Sequence, residues 1–123
     1  GLDNLRFECI DALHMTPQIF DISTSTLCLH EMPEEVACDI LTLMTRCSGK
    51  VLIADYTRAE SAFGRMSIEL DELFSGHYQY YRRYRNHGEI PAYADRIGAT
   101  IECEVRSRID GITIWIITGD CST

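Results

Sequence analysis

Between Phe20 and Tyr56 the hydrophobic pattern changes period twice, and this stretch constrains the fold more than any other. Phe20-Asp21-Ile22-Ser23-Thr24-Ser25-Thr26 is rich in β-branched residues and reads as a strand. Pro33 then opens a helix at a first-turn position, where its missing N–H costs nothing, and Glu34 and Glu35 suit the positive end of the helix dipole. Val36, Ile40, Leu43, Met44 and Cys47 recur at helical spacing as one buried stripe. Gly49 stands where a left-handed residue would end that helix. Lys50 to Tyr56 follows with a continuously apolar centre, as a parallel strand covered on both faces requires. Strand, helix and strand in this order form a βαβ unit, which commits the chain to an α/β sheet.

The flanks extend that sheet. Leu5 to Ile10 alternates apolar and polar side chains and predicts an edge strand ending in Asp11-Ala12, with a short polar connection at Thr16-Pro17. A mixed helical region is expected over about 67–98, broken into two helices around Gly88 to Pro91. Thr100 to Arg106 alternates as a half-exposed strand, Asp110-Gly111 is a hairpin turn signal, and Ile112 to Ile117 is the returning strand. At 123 residues this is one domain, parallel at first and closing in an antiparallel hairpin.

Charge narrows the partners. Eleven basic and nineteen acidic residues leave a net charge of −8. Such a balance disfavours nucleic acid and anionic membranes, both of which attract positive charge. The longest apolar run, near Ile112 to Ile117, falls far short of the roughly 20 residues that cross a bilayer. Six cysteines, Cys9, Cys28, Cys38, Cys47, Cys103 and Cys121, show neither C-x-x-C nor zinc-ligand spacing. Cys9, Cys28, Cys47 and Cys103 fall among apolar neighbours, and the expectation is reduced, buried thiols in a cytoplasmic protein. The chain does not begin with Met and enters a strand-like stretch at once, so a processed or truncated piece of something longer is expected.

In open α/β sheets, ligands bind outside the carboxyl ends of the parallel strands. That rule selects Asp11-Ala12-Leu13, Thr26 to Met32, and Asp55-Tyr56. Asp11 can accept a hydrogen bond from an amine such as that of adenine, or can simply cap a turn. His30-Glu31, between a strand end and a helix start, can act as general base and orienting acid, or can be a half-buried loop pair. The run from His77 to His87 mixes aromatic and basic residues. On a helix His77, Tyr80, Tyr81 and Tyr84 share one face, and Arg82 and Arg85 another. This is read as an amphipathic helix whose tyrosine face can line a small-molecule pocket, ahead of a base-stacking surface. No G-x-G-x-x-G, phosphate-loop, H-E-x-x-H or G-x-S-x-G motif is present.

The order of the pieces resembles class I S-adenosylmethionine-dependent methyltransferases. Asn4 to Ala12 is similar to their strand followed by Asp-Ala. Phe20-Asp21-Ile22-Ser23 through Leu27-Cys28-Leu29-His30-Glu31-Met32-Pro33 resembles their F-D-x-V … L-H-x-M segment. Ser48 to Tyr56 resembles their G-G-x-L-x-I-x-D strand, and Gly76-His77-Tyr78 with Gly98-Ala99-Thr100 resembles a segment of the small-molecule branch that includes the ubiquinone and menaquinone methyltransferases. The resemblance covers nearly the whole chain. It departs at the front: the family's glycine-rich loop and ribose-binding acidic residue belong upstream of Leu2.

The resemblance therefore implies a truncated Rossmann-like methyltransferase sheet, with the first two strands absent and a closing antiparallel hairpin. Those strands lie between Leu5–Ile10 and Phe20–Ser25 in the family, a gap of about 14 Å. Because several unpaired backbone groups cannot be tolerated there, the first strand is expected to be displaced, or the gap filled by a second copy or a complementing segment. By the same resemblance, Asp11, Ala12 and Leu13 meet the adenine of S-adenosylmethionine, and Thr26 and Leu27 lie beside its methionyl part. His30 is the expected base, and Glu31, Tyr56, His77 and Tyr81 the pocket of a small-molecule acceptor. A methyltransferase-shaped binding or scaffold module without activity, and a half-protein completed by another chain, are the alternatives.

Overall fold

A computed structural model describes residues 3–15 and 18–119. The Thr16-Pro17 connection and Cys121 lie outside the described residues. Four strands form one sheet: β1 (Phe20–Thr26), β2 (Ser48–Tyr56), β3 (Thr100–Arg106) and β4 (Ile112–Thr118), in the spatial order β1-β2-β4-β3. β1 and β2 are parallel and joined by helix α1 (Glu34–Cys47), the expected βαβ unit. β4 runs antiparallel to both β2 and β3.

The sheet is covered on one face. Val51, Ile53 and Asp55 of β2 and Thr113, Trp115 and Ile117 of β4 are buried. They face Ala37, Cys38 and Leu41 of α1, Tyr84 of α3 (Tyr78–His87), and Ile90, Tyr93 and Ala94 of α4 (Glu89–Arg96). The intervening side chains of β2, Leu52, Ala54 and Tyr56, are only half-buried. An apolar run was expected to mean cover on both faces. Here it marks a strand flanked on both edges but packed by helices on one side.

Several local expectations need correction. Leu5 to Ile10 forms no strand; Phe7 is 86% exposed, and the segment joins no sheet among the described residues. Alternation gives a strand its sides, but a lone strand gains no ladder hydrogen bonds. Pro33 is the N-cap of α1 rather than its first residue, a one-position shift of the kind helix ends show. The buried stripe of α1 is Ala37, Cys38, Leu41, Thr45 and Cys47, so Val36, Ile40, Leu43 and Met44 lie at its margins.

Gly49 does not end that helix. The chain passes straight into β2 at Ser48, whose hydroxyl donates to the Met44 carbonyl at 2.7 Å and satisfies a last-turn acceptor without a left-handed residue. Cys9 and Cys103 are exposed, Cys28 is half-buried, and Cys38 and Cys47 are buried. On one-sided elements an apolar neighbour in sequence points to the opposite face.

The helical region holds three helices, not two. α2 (Ala62–Ser75) starts earlier than expected because the Ser61 hydroxyl accepts from the Gly64 N–H at 2.9 Å. Gly76 ends it in the left-handed conformation. Gly88 and Glu89, at φ 104° and 63°, turn the chain from α3 into α4, with Pro91 inside the first turn of α4. The β3–β4 connection is pinned by Asp110, whose carboxylate accepts from the N–H groups of Glu60 and Ser61 and from the Ser61 hydroxyl. Gly111 follows at φ 89°, buried, and an added Cβ would stand 2.4 Å from Cδ1 of Ile68. Gly111→Ala is expected to lower the unfolding free energy by about 2 kcal/mol, read from urea denaturation.

Candidate active site

The parallel strands β1 and β2 end at Thr26 and Tyr56, and a short 3-10 turn, Leu29–Glu31, crosses their carboxyl ends. The chain reaches that turn through Leu27, held at φ 48° with its N–H bonded to the Ala54 carbonyl at 2.8 Å. A left-handed leucine costs about 1–2 kcal/mol. Here it swings the backbone across the sheet end and drops His30 into the core.

Asp55, the last buried residue of β2, organises the turn. Its Oδ2 accepts from the N–H groups of Leu29 and His30 at 3.1 and 3.3 Å, and its Oδ1 accepts from the Tyr56 N–H at 2.8 Å. The same Oδ1 is hydrogen-bonded to Nδ1 of His30. Nε2 of His30 lies 3.1 Å from Oε1 of Glu72, which α2 delivers from the opposite side. All three side chains are at least 98% buried. The Glu31 carboxylate, half-exposed, stands 3.9 Å from Nε2 of His30 and equally far from Nδ1 of His77.

Aromatic rings close the site. The centroids of Tyr56, Tyr84 and Tyr81 lie 4.6, 6.2 and 6.3 Å from that of His30. The Tyr84 hydroxyl donates to the Tyr56 carbonyl at 2.6 Å, and the Tyr81 hydroxyl accepts from Arg85 at 3.1 Å. Burial drives the Tyr56 hydroxyl, already beside Asp71 and Glu72, up to about 12.

Burial opposes the charged form of His30, yet the Asp55 hydrogen bond and the charges of Asp55, Glu72 and Glu31 outweigh it and raise its pKa. Burial raises Glu72 as well, against the pull of His30. The arrangement can therefore hold an imidazole of fixed tautomer and shuttle a proton between Nε2 and a neighbouring oxygen.

Of the residues selected from sequence, His30, Glu31, Tyr56 and Tyr81 come together at this rim, with His77 at its edge as the N-cap of α3. On α3, Tyr81 and Tyr84 are buried as their shared face predicts, whereas Tyr80 is turned outward and Tyr78 is half-buried instead. Ala12 and Leu13 lie in an exposed 3-10 turn, Ala12–His14, that Asp11 caps by accepting from the Leu13 N–H at 3.0 Å. Thr26 and Leu27 sit at the end of β1. Asp55 holds the orienting position expected of Glu31.

Glu72 was not foreseen. Its one signal was its place four residues after Ile68 on α2, on the side that α3 covers. Beside the cluster, Tyr56, Phe63, Ile68, Leu70, Asp71 and Phe74 contribute to a cavity of about 620 Å³. That is a size for a small organic ligand.

No protein-family model matches the sequence, and no curated protein does. Solved structures do. TnmH superposes with a TM-score of 0.70 at 22% identity, over 94% of this chain and 35% of its own. LepI, solved with SAH and a substrate analogue, gives 0.64 at 12% over 89% and 29%. NcsB1, an O-methyltransferase from neocarzinostatin biosynthesis solved with S-adenosylmethionine and 2-hydroxy-5-methyl naphthoic acid, gives 0.60 at 16% over 88% and 31%. At these identities the likeness is one of fold, that of a partial Rossmann-like methyltransferase sheet. The chain spans about a third of the length of the structures it matches.

Removing His30 leaves two buried carboxylates without their shared partner. His30→Ala is expected to cost about 3–5 kcal/mol of stability in urea titrations. The pH dependence has a definite sign. Glu72, raised above its ordinary value, keeps a proton in the folded chain that the unfolded chain releases. Its contribution to stability thus falls as pH rises from about 4.5 toward its native value. His30, also raised, contributes fully below about 6.5 and loses that contribution as pH rises through its native value. Wild type is therefore expected to lose stability relative to Glu72→Gln as pH rises above about 4.5, measured by urea midpoints at each pH.

Proposed function

We propose that this chain carries the acceptor side of an S-adenosylmethionine-dependent O-methyltransferase, with His30 as the base that takes the proton of a small-molecule hydroxyl. The observation that carries the reading is the buried Asp55–His30 pair at the carboxyl ends of two parallel strands in a methyltransferase-type sheet. Bound, the cofactor supplies an electrophilic methyl group on a sulfonium. Asp11, exposed at the N-cap of a 3-10 turn, is the proposed contact of the adenine edge, with Ala12 and Leu13 beside it. Thr26 and Leu27 are the proposed contacts near the transferred methyl. The described glycines are scattered through the chain, so the glycine-rich cradle implied by the family resemblance is not among the described residues.

What this chain's own groups do is narrower. Asp55 fixes the tautomer in which Nδ1 carries the proton and Nε2 the lone pair. An acceptor hydroxyl that takes the place of Glu72 at Nε2 gives up its proton there, and Asp55 stabilises the resulting imidazolium. Tyr56 stands between the His30 ring and the cavity, and Tyr81, Glu31 and His77 complete the proposed acceptor pocket. Methyl transfer itself needs alignment of nucleophile and methyl more than further acid–base chemistry. The parent protein is proposed to be an enzyme, with either a second copy or a complementing segment completing the sheet at the free edge of β1.

The test is methyl transfer from labelled S-adenosylmethionine to a panel of phenols, with the longest protein that contains this chain. His30→Gln is expected to lower kcat by about 10²–10⁴-fold. Tyr56→Ala, at the cavity wall, is expected to act mainly on KM. Activity of His30→Gln within tenfold of wild type would remove His30 from the chemistry.

A further inference from the structure

The rim cluster gathers more carboxyl groups than its one base can serve. Asp55, Glu72 and Glu31 bring three carboxyl groups to a single imidazole, and Arg85, the cation beside this wall, is engaged by the Tyr81 hydroxyl and Glu89. A buried charge without a partner is costly. One oxygen of Glu72, Oε2, is buried with no hydrogen-bond partner among the described residues. An unmade hydrogen bond at a buried carboxyl costs about 1–3 kcal/mol, so the position calls for a ligand.

One ligand atom each from His30, Glu31 and Glu72 lies within 4.8 Å of the other two. Atoms bonded to a common small divalent cation at about 2.0–2.2 Å meet that limit. The outer shell also matches. Metal-bound histidines commonly donate their second ring N–H to a carboxylate, and Asp55 receives it here from Nδ1. Two of the three side chains are fixed in the core, and the half-exposed Glu31 gives an ion its way in.

We infer that His30, Glu31 and Glu72 form a divalent-cation site, of the hard-to-borderline kind that one imidazole and two carboxylates suit. Binding places the cation on Nε2 of His30 and gives the carboxyl groups of Glu31 and Glu72 a common partner. Nε2 has one lone pair, so an ion held there blocks the proton transfer assigned to His30. That inhibitory consequence rests on the proposed function; the binding does not.

The experiment titrates Mn²⁺ into the metal-stripped chain and reads free Mn²⁺ by its paramagnetic resonance signal, because thiolates such as those of the exposed Cys9 and Cys103 bind this ion poorly. One saturable site per chain is expected. Glu31→Gln, at a half-exposed position that leaves the core intact, is expected to weaken it at least tenfold, and Glu102→Gln, an exposed carboxylate on β3, to leave it unchanged. No saturable binding up to millimolar Mn²⁺, or equal effects of the two substitutions, would overturn the site. Saturable binding with the Glu31 dependence supports it even if the longer protein transfers no methyl group. Methyl transfer that proceeds unimpaired with Mn²⁺ saturating the chain places the ion away from Nε2 and overturns the assignment.

Discussion

The hydrogen bonds of one carboxylate hold the rim of this sheet together. Asp55 ends β2, yet it is bonded to the backbone of Leu29, His30 and Tyr56 and to the imidazole of His30. Those contacts tie the β1–α1 connection to the neighbouring strand. A charged group is tolerated at this depth because every acceptor position it offers is used. The left-handed Leu27 is sustained in the same way, by its bond to Ala54 and by the packing of Leu29 into the core.

From that anchor the site follows. His30 cannot rotate, because Asp55 fixes one side of its ring and Glu72 the other, and three tyrosines fill the space around it. The aromatic wall also links the site to the main core, since Tyr84 packs on Tyr93 and bonds the carbonyl of Tyr56. Rigidity of this kind suits a group that must meet an acceptor at a set distance. The same enclosure concentrates carboxyl groups around one base, which connects the proposed proton transfer with the proposed cation site.

The structures that share this fold include O-methyltransferases and a pericyclic reaction enzyme, so fold alone does not choose the reaction. The side chains at the rim carry the proposed reaction. Helices cover one face of that sheet, and β1 stands at its edge among the described residues.

The sequence by itself determined the βαβ unit, the closing hairpin and the place of His30, because these are written in local period, capping residues and strand ends. Phe20–Thr26 and Thr100–Arg106 have the ends expected of them, since β-branched runs and alternation act over a few residues. Tertiary structure decided the rest. Leu5–Ile10 has the alternation of a strand but, among the described residues, no neighbouring strand to make it one. The break at Gly76 was hidden inside one long helical pattern. Asp55 became the orienting carboxylate, and Glu72 the second partner of His30, only when β2 and α2 converged on one ring. Hydrogen bonds between residues that far apart in sequence depend on where the core places each element, and no local pattern encodes them.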